Sequence, residues 1–340
     1  MSYESMLIEK RDIIKSILCQ HYNLPRDRSE VRVSRRNILG FAGENKQYSL
    51  YVSALGHKYK IFAKVSDKAG HEYDNLRFLE MNSSLEYVYF PRPVGFINIG
   101  KEQLLLLEHI DGFQNLSKIL CRMFFRRSDR IEKIVNINKL VLRTIHDVHR
   151  NIGQIQIGSL GYEGARALDV VRTIRAIPAP MREKVTKQLY LAIKNAPKVR
   201  RGVTHGDLGA RNILLSPDRV ILVDWEKMQK RGFLCVDSCM FISYLVMRCL
   251  QLCIRERRVQ DISDRLYRDL SNTKFAFSAT GKLQDNEKVI RLAKCFAEIE
   301  VLSGYEKRTI RSVFKNIVLL RNRQIKYLVN SIIRDVDSAE

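Results

Sequence analysis

The segment Val203-Thr-His-Gly-Asp-Leu-Gly-Ala-Arg-Asn-Ile-Leu-Leu concentrates residues able to do chemistry. His205, Asp207 and Asn212 stand there in the pattern H-x-D-x4-N. An apolar strand follows, then a turn at Ser216-Pro217-Asp218, then a second apolar strand, Val220-Ile-Leu-Val, that runs into Asp224. Phosphoryl transfer from ATP asks few groups of a protein. It needs a carboxylate to orient the acceptor hydroxyl and take its proton, oxygen ligands for Mg²⁺, and a cation on the phosphates. Asp207 suits the first task, as catalytic base. Asn212 and Asp224 are hard oxygen ligands suited to Mg²⁺. Taken singly, Asp207 is an ordinary turn residue, Asp224 an ordinary helix cap and His205 an ordinary core histidine. At these spacings, between two apolar strands, they point together to a phosphotransfer site.

The elements that must position these residues follow from periodicity. Apolar residues at helical spacing over 4–22, followed by Pro25, predict a leading helix within 1–25. Segments 30–39, 47–54 and 59–66, punctuated by Gly40, Gly43 and Gly56, predict an antiparallel meander. Helical periodicity returns over 70–82, and Glu102–Glu108 reads as a buried strand. Beyond it, helices are expected at about 113–150, 166–177, 180–196, 238–256, 260–270, 284–302 and 306–336, with a β-rich interruption at 200–226. The expected class is α+β: a small antiparallel β-sheet lobe with one helix, plus a large mainly helical lobe. Residues 1–108 would form the ATP-binding lobe, and 109–340 the catalytic and acceptor-binding lobe.

His205-Gly206-Asp207…Asn212 and Asp224-Trp225-Glu226 make the chain similar to the aminoglycoside phosphotransferase and choline kinase family, within the protein-kinase-like superfamily. The resemblance implies a two-lobed kinase-like fold and ATP with Mg²⁺ as cofactors. It also implies that Lys64, on the strand Tyr59–Val65, meets the nucleotide phosphates and pairs with a Glu on the next helix. Glu72 and Glu80 are both available. Glu72 lies between Leu76 and Leu79 at the centre of the apolar stripe, where a carboxylate wants a cation, so Glu72 is the expected partner. Leu39-Gly-Phe-Ala-Gly resembles the loop over the phosphates and brings in Gly40 and Gly43. Leu107-Glu108-His109-Ile110 resembles the interlobe linker, so the backbone at Glu108 and Ile110 is expected to bind adenine. Arg143-Thr-Ile-His-Asp-Val-His resembles the family's helix ending in Leu-His. Asp237 is expected as a helix N-cap. The family often has H-P-G-N before the strand; here Gly209-Ala210-Arg211-Asn212 stands in its place, which makes the acceptor side atypical.

Composition bounds the acceptor. The 340 residues carry a formal net charge of +22, with the excess spread over the C-terminal two-thirds. Such a field disfavours the cationic acceptors of the family and favours a neutral or anionic small molecule, sugar or glycan. No A-P-E follows Asp224, so a peptide-docking segment is not expected. The competing readings are a kinase-like nucleotide-binding protein, or an RNA- or membrane-associated one, with little or no catalysis. Aromatic residues interleaved with basic ones are sparse, which argues against nucleic acid. Residues 113–135 combine an apolar side with a basic rim. They read as a lobe helix, with the Met123–Arg127 end at an acidic membrane surface as the alternative. The seven cysteines, four of them at 235–253, read as reduced thiols on a buried helix rather than a metal site. The expected location is the cytoplasm, with peripheral attachment to the inner membrane surface as the alternative.

Overall fold

The computed structural model describes residues 8–35, 46–54, 56–83, 89–99, 102–123, 130–251, 256–307 and 315–337. The chain forms two compact units: Met1–Phe113 with Ile221–Lys227, and Gln114–Val220 with Met228–Glu340.

The first unit contains helix α1 (Arg11–His21), strands β1 (Ser29–Arg35), β2 (Lys46–Ala54) and β3 (His57–Ser66), helix α2 (Ala69–Asn82), and strands β4 (Pro93–Ile99) and β5 (Glu102–Glu108). The sheet order is β1-β2-β3-β5-β4, antiparallel throughout. Strand alternation sends Ile61, Ala63 and Val65 to one face. There they pack with Leu50, Val52, Leu104, Leu106 and with Ile14 and Leu18 of α1. Lys64 points to the other face, opposite Leu105 on β5. That face takes α2, whose Leu76 and Leu79 are fully buried. β4 is not among the strands expected from periodicity. It begins at Pro93, and it lies at the sheet edge, where a missing N–H costs no ladder bond.

The second unit contains β6 (Gln114–Asn115), α3 (Leu116–Met123), α4 (Arg130–Asn151), β7 (Gln156–Gly158), α5 (Gly161–Thr173), α6 (Ala179–Lys194), β8 (Val199–Thr204) and β9 (Ile213–Leu215). β10 (Val220–Leu222) carries the chain out of this unit. After its return come β11 (Gln229–Phe233), α7 (Leu234–Gln251), α8 (Glu256–Ser271), α9 (Leu283–Lys307) and α10 (Lys315–Asp337). α7 is apolar all round and forms the centre, packed by α8 and α9. Its Cys235, Cys239 and Cys249 are free and buried, as small apolar side chains. Cys253 lies outside the described residues.

Three expected elements need correction. The helix expected from 113 begins at Leu116, after Gln114 and Asn115 pair with Leu215 and Leu214. The β-rich stretch extends beyond 226, because β11 pairs with β8, and α7 therefore starts at Leu234 rather than 238. The helix expected at 166–177 runs over Gly161–Thr173 and stops before Pro178. In the segment read as a basic-rimmed helix, Leu116, Leu120 and Met123 are buried as core. Phe124–Arg127 lie outside the described residues. No described helix is long and apolar enough to cross a membrane.

A buried ionic cluster joins α9 to α10. Lys294 Nζ lies 2.8 Å from Asp335 and 3.9 Å from Glu298. Ser331 Oγ donates to Glu298 at 2.9 Å. Burial pushes the Glu298 carboxyl up to about 8, against the pull of Lys294.

Candidate active site

In the first unit, β3 and α2 bring Lys64 and Glu72 together. Lys64 Nζ donates to Glu72 Oε2 at 2.8 Å, and the two residues are 5% and 1% exposed. Such burial is tolerated because the charges are paired. The same ammonium donates to Asp224 Oδ1 at 2.5 Å and lies 3.8 Å from Glu226. Burial draws Lys64 towards neutrality, but Glu72 and Asp224 outweigh it and hold the ammonium above its ordinary range. Burial likewise pushes Glu72 up, and Lys64 opposes that push. Glu80 faces outward and pairs with Arg77 at 2.6 Å.

Asp224 is held by its neighbour. Trp225 is fully buried, its indole N–H donates to Leu222 O at 2.8 Å, and its own carbonyl receives Asn75 Nδ2 at 2.8 Å. Asn75 sits one turn after Glu72 on α2, so one helix face fixes both the lysine and the Asp-Trp-Glu segment. Asp224 has φ 70°, in the left-handed region. A non-glycine residue holds that conformation only where the surroundings impose it, and such residues cluster at functional sites. Among the described residues, oxygens of Glu72, Asp224 and Glu226 lie within 4.8 Å of one another.

The remaining predicted positions of this unit are less informative. Glu108 ends β5; its amide donates to Arg92 O at 3.0 Å and its carboxylate lies 3.1 Å from His21 Nε2. Ile110 follows two residues beyond the strand and is partly buried. Gly40 and Gly43 lie outside the described residues.

In the second unit, the loop after β8 carries His205, Asp207 and Asn212. Asp237, in the first turn of α7, accepts the backbone N–H of His205 at 2.7 Å and of Gly206 at 3.1 Å. The N-cap expectation for Asp237 is thereby corrected. The residue lies inside the helix, and its carboxylate caps the loop. His149, at the end of α4, places Nε2 3.6 Å from the same carboxylate. Burial pushes Asp237 up, but the His149 contact and the loop N–H groups outweigh it and hold the carboxyl below the usual range. Gly206 takes φ 78°, which turns the chain so that Asp207 is only partly buried. Asn212 Nδ2 donates to Asp207 O at 2.8 Å, closing the loop on itself.

Asn75, Glu226 and the loop-holding role of Asp237 escaped the sequence reading. Glu226 was visible inside the Asp-Trp-Glu triplet. Asn75 had one signal, a polar residue beside the apolar stripe of α2.

Residues 60–237 match the phosphotransferase enzyme family, more than half of the chain. The chain belongs to that family. No curated protein sequence matches it. Among solved structures, this phosphotransferase-family chain is similar to a putative aminoglycoside phosphotransferase from Ralstonia eutropha. The identity is 12%, over 96% of this chain and 98% of that one, with a TM-score of 0.54. It is also similar to a thermostable mutant of aminoglycoside phosphotransferase APH(4)-Ia: 11% identity, 95% and 98% coverage, TM-score 0.53. A further substituted form of that mutant protein, solved as a ternary complex with AMP-PNP and hygromycin B, is 10% identical over 94% and 98%, with a TM-score of 0.50. The fold is α+β and protein-kinase-like.

Proposed function

We propose that this phosphotransferase moves the γ-phosphoryl group of ATP to a hydroxyl of a small molecule, sugar or glycan, neutral or anionic. The observation that carries the reading is the buried Lys64 ammonium, held by Glu72 and Asp224. A lysine so fixed is a preorganised cation for phosphate oxygens, and the protein need do little more than position charge. One solved relative was captured with AMP-PNP and hygromycin B. That supports a nucleotide and a small molecule as the two substrates here.

Mg²⁺ is expected with the nucleotide, and the carboxylate oxygens around Asp224 suit it as hard donors. Lys64 engages both Glu72 and Asp224, but Asp224 is the more open of the two, so Asp224 would be the principal ligand and Asn212 the second. Bound there, Mg²⁺ would neutralise charge on the phosphates. Asp207 accepts the proton of the acceptor hydroxyl as its oxygen bonds to the γ-phosphorus. The bond from that phosphorus to the bridging oxygen breaks, and ADP leaves. Asn212, through its bond to the Asp207 carbonyl, keeps the loop in shape.

The test is ADP release with Mg²⁺ over a pool of metabolites and glycans. Turnover lost in Asp207→Asn, with ATP binding retained, is the expected result. Turnover unchanged in that variant would remove the reading.

A further inference from the structure

We propose that the acceptor carries a phosphate monoester, bound by Arg211 and Arg248 beside the loop that holds Asp207. The inference rests on the phosphotransferase reading above and names its substrate class. Arg211 is exposed, and its backbone is pinned where Asn115 Nδ2 donates to its carbonyl at 2.6 Å. Gly209 abuts the ring of Tyr244 on α7, where an added Cβ would stand 3.2 Å from the ring edge. Arg248 is one turn beyond Tyr244, and therefore on the α7 face that meets the loop. Its Nη2 donates to Cys121 Sγ at 3.0 Å and lies 3.4 Å from Ser117 Oγ, both on α3.

The same helix α3 adds Lys118 and Arg122, both exposed, and Arg122 donates to the neutral Gln114 at 2.8 Å. Against these four cations, α3 carries no carboxylate and the loop carries one, Asp207. α7 contributes only Asp237, which is buried and occupied with the loop N–H groups. Such a field repels a cationic acceptor and draws an anion. Guanidinium forks match phosphate oxygens two at a time and stay charged at every working pH. A phosphate on the arginines would orient a hydroxyl of the same molecule at Asp207. In the reaction, that hydroxyl gives its proton to Asp207 and bonds to the γ-phosphorus, ADP departs, and the phosphate already present is unchanged.

The full chain, with ATP and Mg²⁺, is offered sugars and the matching sugar monophosphates, and ADP release is followed. Turnover is expected only with phosphate-bearing acceptors. Their KM should rise about tenfold or more in Arg211→Gln and in Arg248→Gln, with KM for ATP unchanged, and less in Arg248→Lys. Phosphorylated glycolipid in detergent micelles separates a lipid-borne acceptor from a soluble one. Inorganic phosphate, titrated calorimetrically, gives a readout independent of turnover: binding should be lost in the Arg211→Gln, Arg248→Gln double variant. Equal use of sugars and sugar phosphates, or phosphate binding unchanged in the double variant, overturns the inference. ATP turnover that survives Asp207→Asn overturns the underlying reading instead. Turnover lost in Asp207→Asn without any preference for phosphate sinks only the acceptor class.

Discussion

The Asp237 carboxylate takes the His205 amide at 2.7 Å and the Gly206 amide at 3.1 Å, while His149 Nε2 stands 3.6 Å from it. One buried side chain thus fixes the two residues that precede Asp207. Asp237→Ala would remove the acceptor of one buried and one partly buried N–H group, at about 1–3 kcal/mol for the buried one and less for the other. We expect a lower urea midpoint, together with loss of phosphotransfer while nucleotide still binds. Asp237→Asn, which retains one acceptor oxygen, should lose less.

The same carboxyl sets an acid limb. Its native pKa lies below the ordinary value, so its stabilisation is fully present above about 4, the unfolded value, and fades as pH falls through the lower native one. Asp237→Asn should flatten the stability–pH curve in that window. An acid limb identical to wild type would show that Asp237 does not set it.

Lys64→Met leaves Glu72 and Asp224 facing each other without their cation. Breaking a buried pair in this way costs roughly 3–5 kcal/mol. Lys64→Met with Glu72→Gln should cost less than the sum of the two single changes, which a double-mutant cycle by chemical denaturation measures. Strict additivity would mean that the two side chains are not coupled in solution.

Some of this geometry was legible locally. Asp207 and Asn212 share one loop, as their spacing suggests, and β3 alternation separates Lys64 from Ile61, Ala63 and Val65 without any tertiary knowledge. Glu72 could be separated from Glu80 because only Glu72 sits inside the apolar stripe of α2. Asp237 could not be read the same way. Before an apolar helix it satisfies every local rule for an N-cap, and only tertiary placement directs its carboxylate to a loop some thirty residues earlier. β4 and β11 both pair at a sheet edge, where the strand signal depends most on context; β4 also opens on a proline, and β11 carries the polar run Gln229-Lys230-Arg231.

Asn75→Ala removes the donor to the Trp225 carbonyl and should cost about 1–3 kcal/mol. The loss should exceed stability alone, because Asp224 is held in a left-handed backbone by its neighbour. A raised KM for ATP in Asn75→Ala is the expected kinetic mark. A variant with lower stability and unchanged KM would confine Asn75 to a structural role.

Glu298, raised to about 8, predicts the opposite pH behaviour to Asp237. The native state holds a proton that the unfolded chain releases near about 4.3, so stability falls as pH rises from there to about 8 and then levels. Glu298→Gln should match wild type near pH ~4 and exceed it above pH ~8, by thermal unfolding. A variant that is weaker at every pH would show that the charged carboxylate is needed by Lys294.

Residues 221–227 belong to the first unit although more than a hundred residues of the second precede them. On the ribosome, the sheet around Lys64 therefore emerges without its Trp225 and without the carboxylate of Asp224. Until that stretch is made, Asn75 on α2 lacks the Trp225 carbonyl it donates to, and the Lys64 ammonium lacks Asp224 beside Glu72. Completion of the first unit must wait for long-range contacts, which close slowly and leave apolar surface open in the interval. A chain truncated before residue 221 should accordingly bind chaperones and resist folding, and supplying 221–227 in trans would have to replace a covalent tether with a weak peptide association. The nascent chain is therefore most vulnerable to protease and aggregation between the synthesis of residues 113 and 227.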